Sequence, residues 1–188
     1  MSMLAALAKI TAYAGVPFLL EKYLLSGAVS SIGLSGGSTL VLPRAFGWVI
    51  LSNLVGCSLT TYYLGFGFVG AARKKYGIKY PTMHAVSSKE GDDAHMFNCA
   101  QRVHGNALES LPALLALSIA GGLKHPVACA CAGLLWCVAR VQWANGYISG
   151  DPTRRYESKW AMHVWTSIMI LLGASCSTAV SLLAGSSF

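Results

Sequence analysis

The sequence predicts an all-α integral membrane protein, a four-helix transmembrane bundle with an extra N-terminal hydrophobic helix. Three observations predict it. Hydrophobic residues make up 54% of the 188 and charged residues only 11%, against about 25% charged in an average soluble domain. Several runs are apolar over ~20 residues, the length that crosses a bilayer as a helix. Lysine and arginine collect at the ends of those runs, as membrane topology demands. The net charge of +7 is therefore read as an orientation signal, and nucleic acid is not an expected partner.

Residues 1–42 form the N-terminal hydrophobic extension and residues 43–188 the four-helix domain. Met3–Leu20 is apolar apart from Lys9, Pro17 interrupts it, and an apolar stretch Tyr23–Leu34 follows Glu21 and Lys22. A helix lying on or partly crossing the membrane and an attachment helix for a partner protein both fit. Ser35-Gly-Gly-Ser38 marks a turn or linker.

Phe46–Phe68 is uncharged and forms the first span. Its small residues, Gly47, Ser52, Gly56, Ser58 and Gly65, allow close helix approach. Arg73, Lys74, Lys75 and Lys79 follow as a positive cluster, and Tyr80-Pro81 is expected to end the helix. Thr82–Ala94 reads as a polar loop. Phe97–Leu123 is the second span, with Pro112 inside it and Gly121-Gly122 at its end. Val127–Ile148 is the third span. Gly150-Asp151-Pro152 interrupts the chain before Arg154 and Arg155, and Trp160–Leu183 is the fourth span. The loops after spans one and three carry Arg73, Lys74, Lys75, Lys79, Lys89, Arg154, Arg155 and Lys159, and the loop between spans two and three only Lys124, so the first two face one side, the cytosol.

Six cysteines (57, 99, 129, 131, 137 and 176) lie in or near apolar segments with no CxxC. They read as small buried hydrophobes, and no metal site is expected. Tyr62, Tyr63, Trp136 and Trp165 read as packing or belt aromatics.

The second span holds costly polar residues. Ionisable groups at membrane depth cost on the order of 2.5–3.5 kcal/mol each on insertion scales, so they persist where they pair or do chemistry. At 100° per residue, Arg102, Asn106 and Glu109 share one helix face, within about 60° of one another, while His104 points about 200° from Arg102. On the third span Arg140, Trp143 and Tyr147 share a face. One bundle gathers Arg102, Asn106, Glu109, Arg140 and Tyr147, with Arg73 and Arg154 at the rim. Such a cluster suits a small polyanion that also bears an ammonium, because arginine forks take carboxylates bidentately and Glu109 takes the ammonium. The plainer reading stands beside it. Arg102–Glu109 or Arg140–Glu109 serve as interhelical ion pairs, Arg73 as a topology anchor, and Tyr147 as an interfacial aromatic.

Three motifs then identify a relationship. Ala72-Arg-Lys-Lys-Tyr76 with Tyr80-Pro81, Phe97-Asn-Cys-x-Gln-Arg-x-His-x-Asn-x-Leu-Glu109 with Pro112, and Arg140-Val-x-x-x-x-Gly-Tyr147-x-x-Gly-x-Pro152 together resemble the MAPEG family, the membrane-associated proteins of eicosanoid and glutathione metabolism. Within it the chain looks most like the type 3 microsomal glutathione transferases. The resemblance spans about Ala45 to Ala184. It implies a homotrimer of four-helix protomers that binds glutathione between protomers and acts on a lipophilic electrophile or lipid hydroperoxide. It further implies that Arg102, Asn106, Glu109, Arg140, Trp143 and Tyr147 line the glutathione site, with His104 and Arg73 contributed by the neighbouring protomer. Arg154, or Arg155 if the alignment slips by one, matches the arginine that activates the thiol in the leukotriene synthase branch. Trp143 stands where related enzymes have tyrosine, so one hydroxyl donor to the ligand is lost. Ser110 stands where the leukotriene synthase branch has tyrosine. These departures, with the N-terminal extension, keep a second function open: a non-catalytic accessory subunit of a larger membrane complex. The expected surroundings are membrane lipids, in the endoplasmic reticulum or, alternatively, a mitochondrial membrane.

Overall fold

The computed structural model describes residues 42–89 and 91–185, all within one compact unit, Leu42–Phe188. The expected N-terminal extension, apart from its last residue, lies outside the described residues. The architecture is all-helical: α1 (Phe46–Tyr76), α2 (Asp93–Gly122), α3 (Pro126–Tyr147), a 3₁₀ turn (Pro152–Tyr156) and α4 (His163–Leu183). Helices α1, α3 and α4 are each long and apolar enough to cross a membrane. Helix α2 is not among these three, and the polar residues in its first half account for that. It packs against all three as part of the same bundle.

Helix α1 runs through Phe68 without a break to Tyr76. Gly77, in the left-handed region at φ 67°, ends it, not Tyr80-Pro81 as expected. The Arg73 carbonyl accepts from Ile78 N there, the usual way a glycine cap satisfies last-turn carbonyls. Two segments of α1, Ile50–Cys57 and Leu64–Val69, are π-helical. Their consequence is a change of register. Val49, Asn53, Cys57, Thr61, Val69 and Arg73 are all buried at multiples of four residues. A regular α-helix turns about 40° too far every four residues to keep such a stripe on one face. The wider i→i+5 turns rotate less per residue and hold the stripe against the bundle.

Helix α2 begins four residues before the expected Phe97, because Asp92 is its N-cap. The Asp92 carboxylate accepts from His95 N at 2.7 Å and from Ser88 N at 2.9 Å. The carboxyl is held well below its ordinary range, chiefly by the His95 N–H and then by the Ser88 N–H. Part of the expected Thr82–Ala94 loop is thus already helix. Gly121 and Gly122 do not act as left-handed caps. A Cβ at Gly121 would meet Ala174 and the backbone of Ser175 at 2.8 and 3.0 Å, and one at Gly122 would meet Phe46 and Val49 at 3.0 and 3.1 Å. They are glycines because α1 and α4 approach α2 closely there.

Helix α3 starts with Pro126 in its first turn, where a missing N–H costs nothing. Helix α4 starts at His163, three residues later than expected, after hydrogen-bonded turns over Ser158–His163. The core joins Val49, Leu64, Val103, Leu114, Trp136, Ala144 and Leu171 from all four helices. One buried polar knot pins it. Asn53 Nδ2 donates to Ser118 Oγ (2.6 Å) and to the Cys129 carbonyl (3.0 Å), and Asn53 Oδ1 accepts from Ser52 Oγ. Away from water each such bond replaces an otherwise costly unsatisfied group.

The cysteines divide. Cys57, Cys99 and Cys129 are buried as expected, whereas Cys131 and Cys176 lie exposed on the outer surface of the bundle. Neighbouring helices cover only one side of α3 and α4, so the opposite face of each turn points outward.

Candidate functional site

The residues α2 and α3 turn toward each other enclose a cavity of about 470 Å³. Helix α2 contributes Arg102, Asn106, Glu109 and Ser110. Helix α3 contributes Arg140, Trp143 and Tyr147. Arg155 and Tyr156 come from the 3₁₀ turn, and Val164, Trp165 and Ile168 from α4. The five polar residues that helical spacing places on two facing stripes therefore line one space.

Arg140 is the centre of it. It is 3% exposed. Its Nη1 donates to Asn106 Oδ1 at 2.5 Å and its Nη2 to Ser110 Oγ at 3.1 Å. Its Nε has no partner. Trp136 and Trp143 flank the guanidinium, with ring centroids 5.1 and 5.3 Å away. No carboxylate pairs with it among the described residues. The acid that was a candidate partner, Glu109, is instead 2.6 Å from Arg102, and both side chains are about half exposed. That pair lies within α2, two turns apart, and is not interhelical. A buried cation held only by neutral groups is expensive.

The 3₁₀ turn reaches the cavity because two glycines let it. A Cβ at Gly146 would come within 2.2 Å of the Arg154 carbonyl oxygen, so only glycine lets the turn lie on α3. Gly150, at φ 89°, has Met96 Sδ 2.5 Å from where its Cβ would be. The Gly150 carbonyl also bonds His95 Nε2 at 2.8 Å, tying the loop to the start of α2. Asp151 caps the turn through Thr153 N at 2.8 Å. Hydrogen bonds from the Thr153 hydroxyl and N–H, and the charge of Arg154, hold its carboxyl below the ordinary value.

The two arginines of the turn separate. Arg155 lines the cavity and donates from Nη1 to the Pro152 carbonyl at 2.9 Å. Arg154 is exposed and spent on Glu157, with contacts of 2.9 and 3.1 Å. His104 and Arg73 lie elsewhere. His104 packs where Gly65 leaves room, its Nε2 2.9 Å from the position of a Cβ there. Arg73 donates to the Lys79 and Thr82 carbonyls and lies over the rings of Tyr80 and Phe97. Within this protomer it organises the loop after α1.

Two cavity residues escape a reading by helical spacing. Trp165, read as a belt aromatic, lines the cavity and donates from Nε1 to Tyr156 Oη at 3.1 Å. Tyr156 itself carries no sequence signal beyond its place after Arg155. Partial burial raises its phenol, but the Trp165 N–H bond, the neighbouring Trp143 indole and the Arg155 charge outweigh it, and the net direction is down. Trp143 stacks on Tyr147, with centroids 4.9 Å apart.

The fold and this cleft define a class: an integral membrane helical bundle with a polar, arginine-lined cleft beside the apolar start of α4. The family model of the MAPEG family matches residues 50–176, well over half of the chain, and the chain belongs to that family. The family includes glutathione transferases and peroxidases.

Proposed function

We propose that this protein is a glutathione-dependent membrane transferase or peroxidase acting on lipophilic electrophiles or lipid hydroperoxides. The observation that carries the reading is Arg140, a buried guanidinium that lines the cavity and has only neutral partners among the described residues. Glutathione bears two carboxylates, one ammonium and one thiol, and the donor set fits that inventory. Arg140 and Arg102 would hold carboxylates through charge-assisted forks. Glu109 would take the ammonium while keeping Arg102 in place. Bound glutathione supplies a nucleophilic and reducing sulfur. Arg155 favours the ionised form of a thiol beside it, as a nearby cation does. Val164 and Ile168 give the cleft an apolar wall, which excludes water and suits a partner arriving from lipid.

A homotrimer belongs to this reading. His104 has no hydrogen-bond partner among the described residues, and at membrane depth a ring nitrogen finds a partner in a packed neighbour or a ligand more readily than in water. We place His104 toward an adjoining protomer.

The test is purified protein in nanodiscs, assayed with glutathione and an aromatic electrophile or a fatty-acid hydroperoxide, with calorimetry of an S-alkylated glutathione alongside. Turnover together with binding supports the proposal. Binding without turnover supports a non-catalytic subunit that keeps the guest site. Neither binding nor turnover removes the proposal.

A further inference from the structure

We infer that the Tyr156 hydroxyl donates a hydrogen bond to the ionised sulfur of bound glutathione and, with Arg155, governs its ionisation. The inference rests on the glutathione reading above and assigns one residue within it.

A phenol oxygen has one proton to give and two positions at which to accept, whereas an indole N–H and a guanidinium only donate. Around Tyr156 Oη the protein places donors alone. Trp165 Nε1 donates at 3.1 Å, and the Arg155 guanidinium lies over the phenol ring, 5.3 Å from its centroid. Among the described residues no group accepts the Tyr156 proton. The acceptors on the facing wall are engaged, Glu109 by Arg102 and Asn106 Oδ1 by Arg140. Tyr156 lines the cavity. Its proton is therefore available to whatever enters, and the Trp165 N–H behind it strengthens it as a donor by drawing electron density from the oxygen.

Position selects the atom that receives the bond. The charged groups around the cavity are Arg102, Glu109, Arg140 and Arg155. Three of them lie on α2 and α3, where carboxylates and an ammonium are matched. Tyr156 and Arg155 stand on the turn that leads to Val164, Trp165 and Ile168. A sulfur that must meet a lipophilic partner belongs on that apolar side. A hydrogen bond to the charged form lowers the pKa of the group that receives it, so the Tyr156 donor favours thiolate over thiol. No bond is broken in this role: the proton stays on the phenol.

The experiment compares native protein, Tyr156→Phe and Trp165→Phe. It reads the ultraviolet thiolate absorbance of bound glutathione against pH, the pH profile of kcat/KM, and the affinity for an S-alkylated glutathione, which has no ionisable sulfur. Tyr156→Phe is expected to move the thiolate midpoint up by about one pH unit, with a roughly tenfold lower kcat/KM below the midpoint, and to leave S-alkyl affinity within about twofold. Trp165→Phe, which removes one donor behind the phenol, moves the midpoint the same way by less. An unchanged midpoint in both variants overturns the inference. Equal loss of affinity for both ligands also overturns it, because the hydroxyl would then hold a carboxylate. If Tyr156→Phe does not fold, the Trp165→Phe midpoint decides alone. Native protein that binds neither ligand removes the glutathione reading and this assignment together; native binding with unshifted variants removes only this one.

Discussion

Arg140 Nη1 meets Asn106 Oδ1 at 2.5 Å across the α2–α3 interface. The contact joins a buried charge on one helix to a neutral amide on the next. Had Glu109 paired with Arg140, the buried guanidinium would have met a carboxylate from within the protein. Glu109 pairs with Arg102 along its own helix instead, and the positive charge of Arg140 is left to the cavity.

Ligand binding is expected to show as stability. Glutathione at about a hundredfold its Kd stabilises a binding-competent protein by roughly 2.7 kcal/mol, read as a rise in thermal unfolding temperature in detergent. Arg140→Gln should lose most of that rise. A full rise in the Arg140→Gln protein would show that the guanidinium does not hold the guest.

The arginines of the 3₁₀ turn should behave unequally. Arg155→Ala removes a charge from the cavity wall and should lower kcat/KM by roughly 10²-fold, the scale seen when one preorganised donor is lost. Arg154→Ala breaks an exposed pair with Glu157, worth about 0–1 kcal/mol, and should leave kcat/KM within about threefold of native. Steady-state kinetics on the two variants decides it, and the reverse order would assign the role to Arg154.

Gly146→Ala tests how the turn is seated. The added methyl would sit 2.2 Å from the Arg154 carbonyl oxygen, a contact with backbone that no rotamer relieves. The turn should lift off α3, carrying Arg155 and Tyr156 with it. We expect at least about tenfold loss of S-alkyl glutathione affinity, by calorimetry, with helical circular dichroism retained; overpacking of this kind costs typically 1–3 kcal/mol.

Asp92 should make the start of α2 sensitive to acid. Its carboxyl is depressed in the folded protein, so the stability it contributes is fully present above the ordinary aspartate value of about 3.9. That contribution is lost as pH falls through the lower folded value. Protection of the His95 and Met96 amides, taken relative to the exchange of an unstructured peptide at the same pH, should therefore hold at neutral pH and fall only in strong acid. Asp92→Ala should lower that protection at neutral pH and change nothing further in strong acid, where the native carboxylate is also lost. Exchange equally slow in the variant would show that Asp92 does not hold the helix end.

Helical membrane architecture was legible because burial in lipid forces backbone groups to bond within each segment, so length and hydropathy locate the helices. The polar set of α2 and α3 was legible for a related reason: spacing of four and seven residues puts side chains on one face whatever the surroundings. Element ends were less legible. The helix start at Asp92 lies within a stretch that reads as polar loop, and α1 ends at Gly77 rather than Tyr80-Pro81 because a glycine that turns left-handed stops a helix without any change in composition.

What the sequence by itself determined is the membrane class, the bundle and the facing stripes that carry Arg102, Asn106, Glu109, Arg140 and Tyr147. Only the tertiary structure decided which acid pairs with which arginine, that Arg155 and not Arg154 turns inward, and that Trp165 and Tyr156 reach the cavity. Periodicity acts along one helix and fixes direction about its axis. Pairing between elements depends on how closely backbones approach, and here that is set by missing side chains, at Gly146 against the Arg154 carbonyl and at Gly150 against Met96, whose effect appears only once the chain is packed.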